Sequence, residues 1–337
     1  MSNTAAESGA VTGKASLDAL KEDHEARVKA ADGGRVRAPH ENGKHIVEVL
    51  IEERCENLRR SRFWPLYRTI LYPLLKKGEA VRMADDVAPL TGSGVMDYMS
   101  TLLDLEIDLK GIENIPKSGR VIVAPTHPTG IADGVAMWDA LRGHRDDMIF
   151  FANRDAIRAA PQLDDLLIPV EWVQEKRTRQ RSRETLKSTK ASFSDERCVI
   201  LFPSGRLAFM DHNKVLTEQE WLPSVAILAR KYDAAVVPVH MKARNSWLYY
   251  WFWRLNDELR DITLFHELLN KKRKRYEVTV GEIIPVDQLA GDPTDVAAAL
   301  RAHAVKNVPE GSPWGPMRRL IDFEDAIKAD LMSDVHD

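Results

Sequence analysis

The chain is 337 residues long, enough for one large domain with a helical attachment, and its 44% hydrophobic and 29% charged residues exclude a disordered or collagen-like polymer. Forty-eight Lys and Arg against fifty-one Asp and Glu leave a net charge of -3, so a phosphate-rich partner must be met by a local cluster. Two distant cysteines, Cys55 and Cys198, argue against a disulfide framework or zinc site and suit a reducing cytoplasm.

The opening MSNTAAESGAV has neither the basic nor the apolar region of a signal peptide, so export is not expected. Residues 1–43 contain no Phe, Tyr or Trp, and carry the turn signals Asp32-Gly33-Gly34 and Glu41-Asn42-Gly43. So little apolar surface does not offset ordering entropy, which predicts a mostly disordered tail. Residues 44–104 read as a helical extension. Within it Phe63 to Leu75 is apolar apart from Arg68 and Thr69, bracketed by Arg59, Arg60 and Arg62 before and Lys76 and Lys77 after. Such a helix is about 20 Å long, short of the roughly 30 Å hydrocarbon core, so it suits lying in the headgroup plane as well as packing into a core. Pro65 and Pro73 argue against one straight helix.

From 105 to 290 apolar runs alternate with helical stretches. Strands are expected at Leu105–Leu109, Val121–Ala124, Met148–Ala152, Leu166–Val170, Cys198–Phe202, Ala235–His240 and Tyr276–Ile284, with helices near 134–142, 153–160, 177–193 and 217–231. That order predicts an α/β fold, a sheet flanked by helices. Residues 291–337 read as a C-terminal helical segment.

The first strand-end turn of chemical interest is Thr126-His127-Pro128-Thr129-Gly130, leading into a helix. Groups at the carboxyl ends of strands in an open sheet stand where ligands bind. An imidazole there can take a proton from an alcohol if a carboxylate fixes its tautomer, and Asp133, six residues on, is the nearest candidate. The bland readings are a capping or core histidine and a helix-capping aspartate. A second strand end carries Pro203-Ser204-Gly205-Arg206. Arg206 offers a bidentate donor for phosphate or oxyanion, and Ser204 a hydroxyl for substrate; the pair Ser204-Gly205 reads equally well as a tight turn.

Four blocks, GIENIP, THPTGIADG, FPSGRLAF and VVPVH, stand in order over about 180 residues from Leu105 to Ile284. They resemble the glycerolipid acyltransferase family, the group that includes 1-acylglycerol-3-phosphate acyltransferase. The resemblance implies a glycerolipid-acyltransferase-like sheet and a His127–Asp133 dyad that deprotonates an acceptor hydroxyl for attack on an acyl thioester. Acyl-CoA or acyl carrier protein is then the co-substrate, a lysolipid or other glycerolipid the acceptor, with no cofactor or metal. Thr126 replaces the usual Asn, and five residues rather than four separate His127 from Asp133. This matches the sub-branch with His-Pro-x-Gly-x-x-Asp spacing, the ornithine-lipid-type and hemolysin-like acyltransferases. Ser204 stands where the family usually has a Glu linked to acceptor glycerol phosphate, which weakens the case for lysophosphatidic acid. The resemblance also implies that Arg154, in FFANRDAIRAAP, lines the acceptor site, and that Arg177 and Arg179, in EKRTRQRSRETLK, help bind phosphate; most of that basic run suits a solvated helix face.

WLYYWFW at 247–253 places six aromatics in seven residues, too many for one buried helix face, so some should meet lipid, an acyl tunnel or a partner. The run Lys271-Lys272-Arg273-Lys274-Arg275 beside it is expected to favour anionic lipid surfaces. No nucleic-acid motif accompanies it. The expectation is a cytoplasmic O-acyltransferase of membrane lipid synthesis, peripherally attached to the membrane. A lipid hydrolase using the same site and a non-catalytic lipid- or acyl-carrier-binding module remain the alternatives.

Overall fold

The computed structural model describes residues 36–171, 177–211 and 213–315. The expected tail up to 35, Lys176 in the basic run, and the end of the C-terminal segment from 316 onward lie outside them. Residues 36–43, assigned to the tail from composition, are instead tied down. His40–Glu41 pairs with Lys44–His45 in a small hairpin, and the Ala38 N–H donates to Asp85 Oδ1 at 3.1 Å.

Among the described residues five helices precede the sheet: α1 (Ile46–Glu53), α2 (Glu56–Arg60), α3 (Trp64–Leu74), α4 (Lys77–Val87) and α5 (Gly92–Leu103). The prolines do not divide α3. Pro65 occupies its first turn, where no intrahelical N–H is needed, and Pro73 its last. The helix packs on the core through Trp64, Leu71, Tyr72 and Leu75, but Phe63, Leu66, Tyr67, Ile70 and Leu74 on its other face are all exposed, Ile70 at 65%. Their spacing makes one helical stripe, so the apolar face of α3 points away from the protein. Trp64 and Leu75 are the buried anchors, and Tyr72 packs edge-on against Trp64.

The sheet contains β1 (Glu106–Lys110), β2 (Val121–Pro125), β3 (Met148–Asn153), β4 (Leu167–Val170), β5 (Cys198–Ile200), β6 (Ala235–Lys242) and β7 (Arg275–Val280). Their order is β1-β7-β6-β2-β5-β3-β4, parallel throughout except where β6 meets β7. Between and after the strands come α6 (Ile131–Leu141), α7 (Asp155–Ala159), α8 (Arg179–Ser194), α9 (Ser224–Tyr232), α10 (Trp247–Leu255), α11 (Asp257–Asp261), α12 (Leu264–Leu269) and α13 (Pro293–Ala302). The chain leaves β2 toward β3 and leaves β5 back toward β6. These two connections run in opposite directions with their helices, α6 and α9, on opposite faces of the sheet, and such a pair of adjacent strands opens a crevice at its carboxyl ends.

Alternation along each strand divides the core. Val121 and Val123 pack with α1, α4, α5 and α6 on one face, whereas Ile122 and Ala124 pack with α9 and α13 on the other. Two predicted elements differ most from expectation. The helix over 217–231 starts only at Ser224, because Leu216–Thr217 pairs with Phe209–Met210 and Pro223 caps the helix. The last strand stops at Val280, and Ile284 returns as a separate bridge to Val236.

After α13 a π-helical turn, His303–Asn307, buries His303 with neither ring nitrogen bonded among the described residues and its ring edge-on to Trp314. Burial holds the imidazole down at about 4, from an ordinary 6.5. The unfolded chain therefore takes up a proton between these values that the folded chain refuses, and stability falls as pH drops through that window. Urea denaturation at pH 7.5 and pH 5 should show this decline, and His303→Phe should reduce it. An unchanged slope in the variant would assign the decline to other groups.

Candidate active site

β2 ends in a turn built by three local constraints. Thr126 Oγ accepts the Met241 N–H at 2.9 Å, fastening the turn to β6. Gly130 has φ +102°, and a Cβ there would stand 3.1 Å from Leu207 Cδ2, so only glycine lets the 203–207 segment close over the turn. Helix α6 then starts at Ile131 and places Asp133, fully buried, in its first turn.

Asp133 Oδ2 lies 2.9 Å from His127 Nδ1 and also accepts the Thr129 N–H at 2.8 Å and the Gly130 N–H at 3.0 Å. Its other oxygen accepts the Thr129 hydroxyl. The capping role expected of a bland aspartate is therefore real, but the same oxygen also holds the imidazole. A carboxylate only accepts, so Nδ1 carries the ring hydrogen and Nε2 is left as a lone-pair base. Among the described residues nothing bonds Nε2, and the His127 side chain keeps 16% of its surface exposed. Phe202 lies against the ring at 4.3 Å between centroids, and the Ala208 N–H donates to the His127 carbonyl at 2.9 Å.

Behind this pair stand residues that the sequence did not single out. The Thr129 hydroxyl has one proton, directed to Asp133, so at 2.7 Å it accepts from the Tyr276 phenol on β7. Burial and the nearby Asp133 charge push that phenol up, which keeps it a donor. Glu218 is buried beneath the turn: Oε2 accepts the His127 N–H at 3.0 Å and Oε1 the Trp221 indole N–H at 3.1 Å. Burial raises the Glu218 carboxyl, opposed by those two hydrogen bonds. Arg301 from α13 donates to the Glu218 carbonyl at 3.2 Å and the Gln219 carbonyl at 2.8 Å. Thr129 lies inside the block THPTGIADG, but Glu218 and Tyr276 follow His127 by 91 and 149 positions, and no spacing rule links them to it.

The other predicted site residues separate into two groups. Ser204, Gly205 and Arg206 follow β5, the neighbour of β2, and so share the crevice edge with His127. Ser204 is turned into the protein. It is buried and donates to the Arg206 carbonyl at 2.8 Å, while Gly205 takes φ +59°, so this pair is the tight turn. Arg206 is exposed and forms no ion pair among the described residues. Arg154 follows β3, and Arg177 and Arg179 follow β4, one and two strands farther along the same edge. Arg154 is bound to Glu184 at 2.9 Å, Arg177 donates to the Glu171 carbonyl at 3.0 Å, and Arg179 is exposed at the start of α8. Neither cysteine suits a nucleophile: both are buried, and burial pushes each thiol up to about 12.

A parallel-rich sheet with a buried His–Asp pair and an arginine turn at adjacent strand ends is the frame of an acyltransferase domain, and the family model described as Acyltransferase matches residues 106–242. The chain is an acyltransferase, and it is similar to members of the glycerolipid acyltransferase family. It is 28% identical over 200 residues to a Lyso-glycine lipid O-acyltransferase of Bacteroides thetaiotaomicron, covering 58% of this chain and 71% of the relative. A protein of the same name from Phocaeicola vulgatus is 26% identical over 200 residues, covering 58% and 70%. The crystal structure of the 1-acyl-sn-glycerophosphate (LPA) acyltransferase PlsC from Thermotoga maritima aligns over 74% of this chain and 95% of that one, with TM-score 0.42 and 14% identity.

Both Glu218 oxygens face N–H donors, so an amide at this position must turn its NH2 against one of them. Glu218→Gln is expected to cost about 1–3 kcal/mol in urea denaturation at neutral pH. Unchanged stability would mean that the carboxylate does not hold the His127 backbone.

Proposed function

We propose that the protein transfers a fatty acyl group from acyl-CoA or acyl carrier protein to the hydroxyl of a lysolipid at a membrane surface. The observation that carries this reading is the 2.9 Å contact between His127 Nδ1 and Asp133 Oδ2, which in the neutral ring puts the hydrogen on Nδ1 and makes Nε2 the base. The acceptor hydroxyl gives its proton to Nε2 as its oxygen attacks the thioester carbon. The C–S bond of the tetrahedral intermediate then breaks, and the imidazolium returns the proton to the leaving thiolate, so an ester and a thiol form. Asp133 orients the ring and stabilises the imidazolium, and Arg206 serves the intermediate's oxyanion or the anionic substrate. No residue is acylated and no redox change occurs.

The relatives' names support a lysolipid with an amino-acid headgroup as acceptor, of the lyso-glycine lipid kind. Loss of the family's acidic residue at Ser204 agrees with an acceptor other than a glycerol phosphate. Arg154 and Arg177 are already engaged by Glu184 and the Glu171 carbonyl, so they contribute to substrate only by exchanging those partners. Arg179 is exposed and remains a candidate for the donor's phosphates.

Among the described residues no helix is long and apolar enough to cross a membrane. Attachment is assigned here to α3, whose exposed stripe of Leu66, Tyr67, Ile70 and Leu74 is flanked by Arg62 and Arg68. Trp247 and Trp251 on α10, 74% and 50% exposed, offer a second apolar contact. The basic run beside them contributes less than its sequence suggests, because Lys271 is buried against Glu267, and Arg273 and Arg275 pair with Asp104 and Asp108.

The test is transfer from labelled acyl-CoA and acyl carrier protein into a panel of lysolipids, read by mass spectrometry. A product that forms with the wild type and is lost in His127→Ala is expected. Free fatty acid released regardless of added lysolipid would identify a hydrolase; lipid binding without any transfer would identify a binding module. In vesicle flotation, Leu66→Asp/Ile70→Asp should abolish binding to anionic liposomes, and unchanged flotation would remove α3 as the anchor.

A further inference from the structure

At the sheet edge that also carries the dyad the structure contains a cavity of about 510 Å³ between the end of β6, the start of β7 and the first residues of α10. Arg244, Lys271, Lys274 and Arg275 line it, and no Asp or Glu does. Lys271 is neutralised by Glu267 at 3.0 Å and Arg275 by Asp108 at 2.7 Å. Lys274 and Arg244 form no ion pair among the described residues; Arg244 lies 5.8 Å from the Tyr250 ring centroid. The cavity therefore carries uncompensated positive charge. Ser246 caps α10 at its wall, so the positive end of that helix adds to the field.

A second observation points to a ligand. Asn245, 4% exposed, lines the cavity, and its Oδ1 accepts from Lys271 Nζ at 2.8 Å. An ammonium only donates, so this contact fixes which end of the amide is oxygen. The other end, Nδ2, is a buried donor without a partner among the described residues. A buried N–H is costly unless an acceptor meets it.

The place of the cavity in the fold connects it to acyl transfer. Tyr276 forms part of its wall, and the same phenol donates to Thr129 in the chain Tyr276–Thr129–Asp133–His127. The segment Ala243–Trp247 follows within a few residues of Met241, which Thr126 holds beside His127.

We propose that this cavity is the subsite for the anionic headgroup of the acyl acceptor, a carboxylate or a phosphate, held by Lys274, Arg244 and the Asn245 amide. The assignment rests on the acyltransferase reading above. It makes the acceptor bridge two points, its anion in the cavity and its hydroxyl at His127 Nε2. The donor's phosphates then have the arginines at the far strand ends left to them.

The experiment compares wild type, Lys274→Ala and Arg244→Gln on two acceptors of equal chain length, an N-(3-hydroxyacyl)glycine and its uncharged glycinamide, with a phosphate-headed lysolipid alongside. Each variant should raise KM for the anionic acceptors about tenfold, the scale of one charged contact, while kcat, the KM for acyl thioester and the KM for the glycinamide stay within about threefold. An unchanged KM for the anions overturns the proposal, as does a rise confined to the thioester, which would give the cavity to the donor. Binding of N-dodecanoylglycine and N-dodecanoylglycinamide, followed by tryptophan fluorescence, separates the two levels of the account. Charge-dependent binding that Lys274→Ala abolishes, in a protein that never transfers, would uphold the subsite and refute acyl transfer. Transfer without charge discrimination would refute the subsite and leave acyl transfer standing.

Discussion

A carboxylate with no solvent exposure is tolerable only if its oxygens are met by donors, and at Asp133 four donors do so. Two are backbone N–H groups at the start of α6, one is the Thr129 hydroxyl, and the last is His127. Satisfying the charge thus aligns the imidazole and starts the helix in one arrangement. Anything that loosens the turn leaves a buried charge short of a partner. The extra residue between His127 and Asp133 is accommodated by the same turn, in which Pro128 and Gly130 reverse the chain and both Thr129 donors point at the carboxylate.

The rest of the sheet supports that one interaction from several directions. β6 holds Thr126, β7 contributes Tyr276, the 202–208 turn after β5 packs Phe202 on the ring, and α13 reaches across with Arg301 to fix the Glu218 segment. Glu218 is a buried acid directed at a backbone N–H rather than at the reacting atoms, so it positions His127 and does not itself meet substrate. Two buried carboxylates therefore flank one histidine, the first holding its ring and the second its main chain.

Much of this was legible in the sequence, for identifiable reasons. The strands were short apolar runs closed by polar turns, and all seven lie in one sheet. The His-Pro-Thr-Gly turn revealed itself because glycine and proline mark chain reversal and because histidine and aspartate stood within one turn of each other. What escaped depended on contacts between distant segments. Ser204 read as a hydroxyl for substrate, yet its turn geometry sends it inward. Lys271 read as part of a basic surface, yet burial against Glu267 and Asn245 makes it an internal strut. Nothing local distinguishes Glu218 from its neighbour Glu220, because only tertiary packing buries one beneath His127. The face of α3 was undecidable from composition, since an apolar helix looks alike whether it meets a core or a lipid surface.

The central claim, that Asp133 fixes His127 in the tautomer that accepts the acceptor's proton, is tested most directly by single-turnover acyl transfer with Asp133→Asn. Asn preserves the shape but offers an amide N–H toward Nδ1 or toward the Thr129 and Gly130 donors, so the ring turns or shifts its hydrogen to Nε2. Transfer is expected to be slower by about 10²–10⁴-fold, with thioester binding retained. Transfer at the wild-type rate would contradict it.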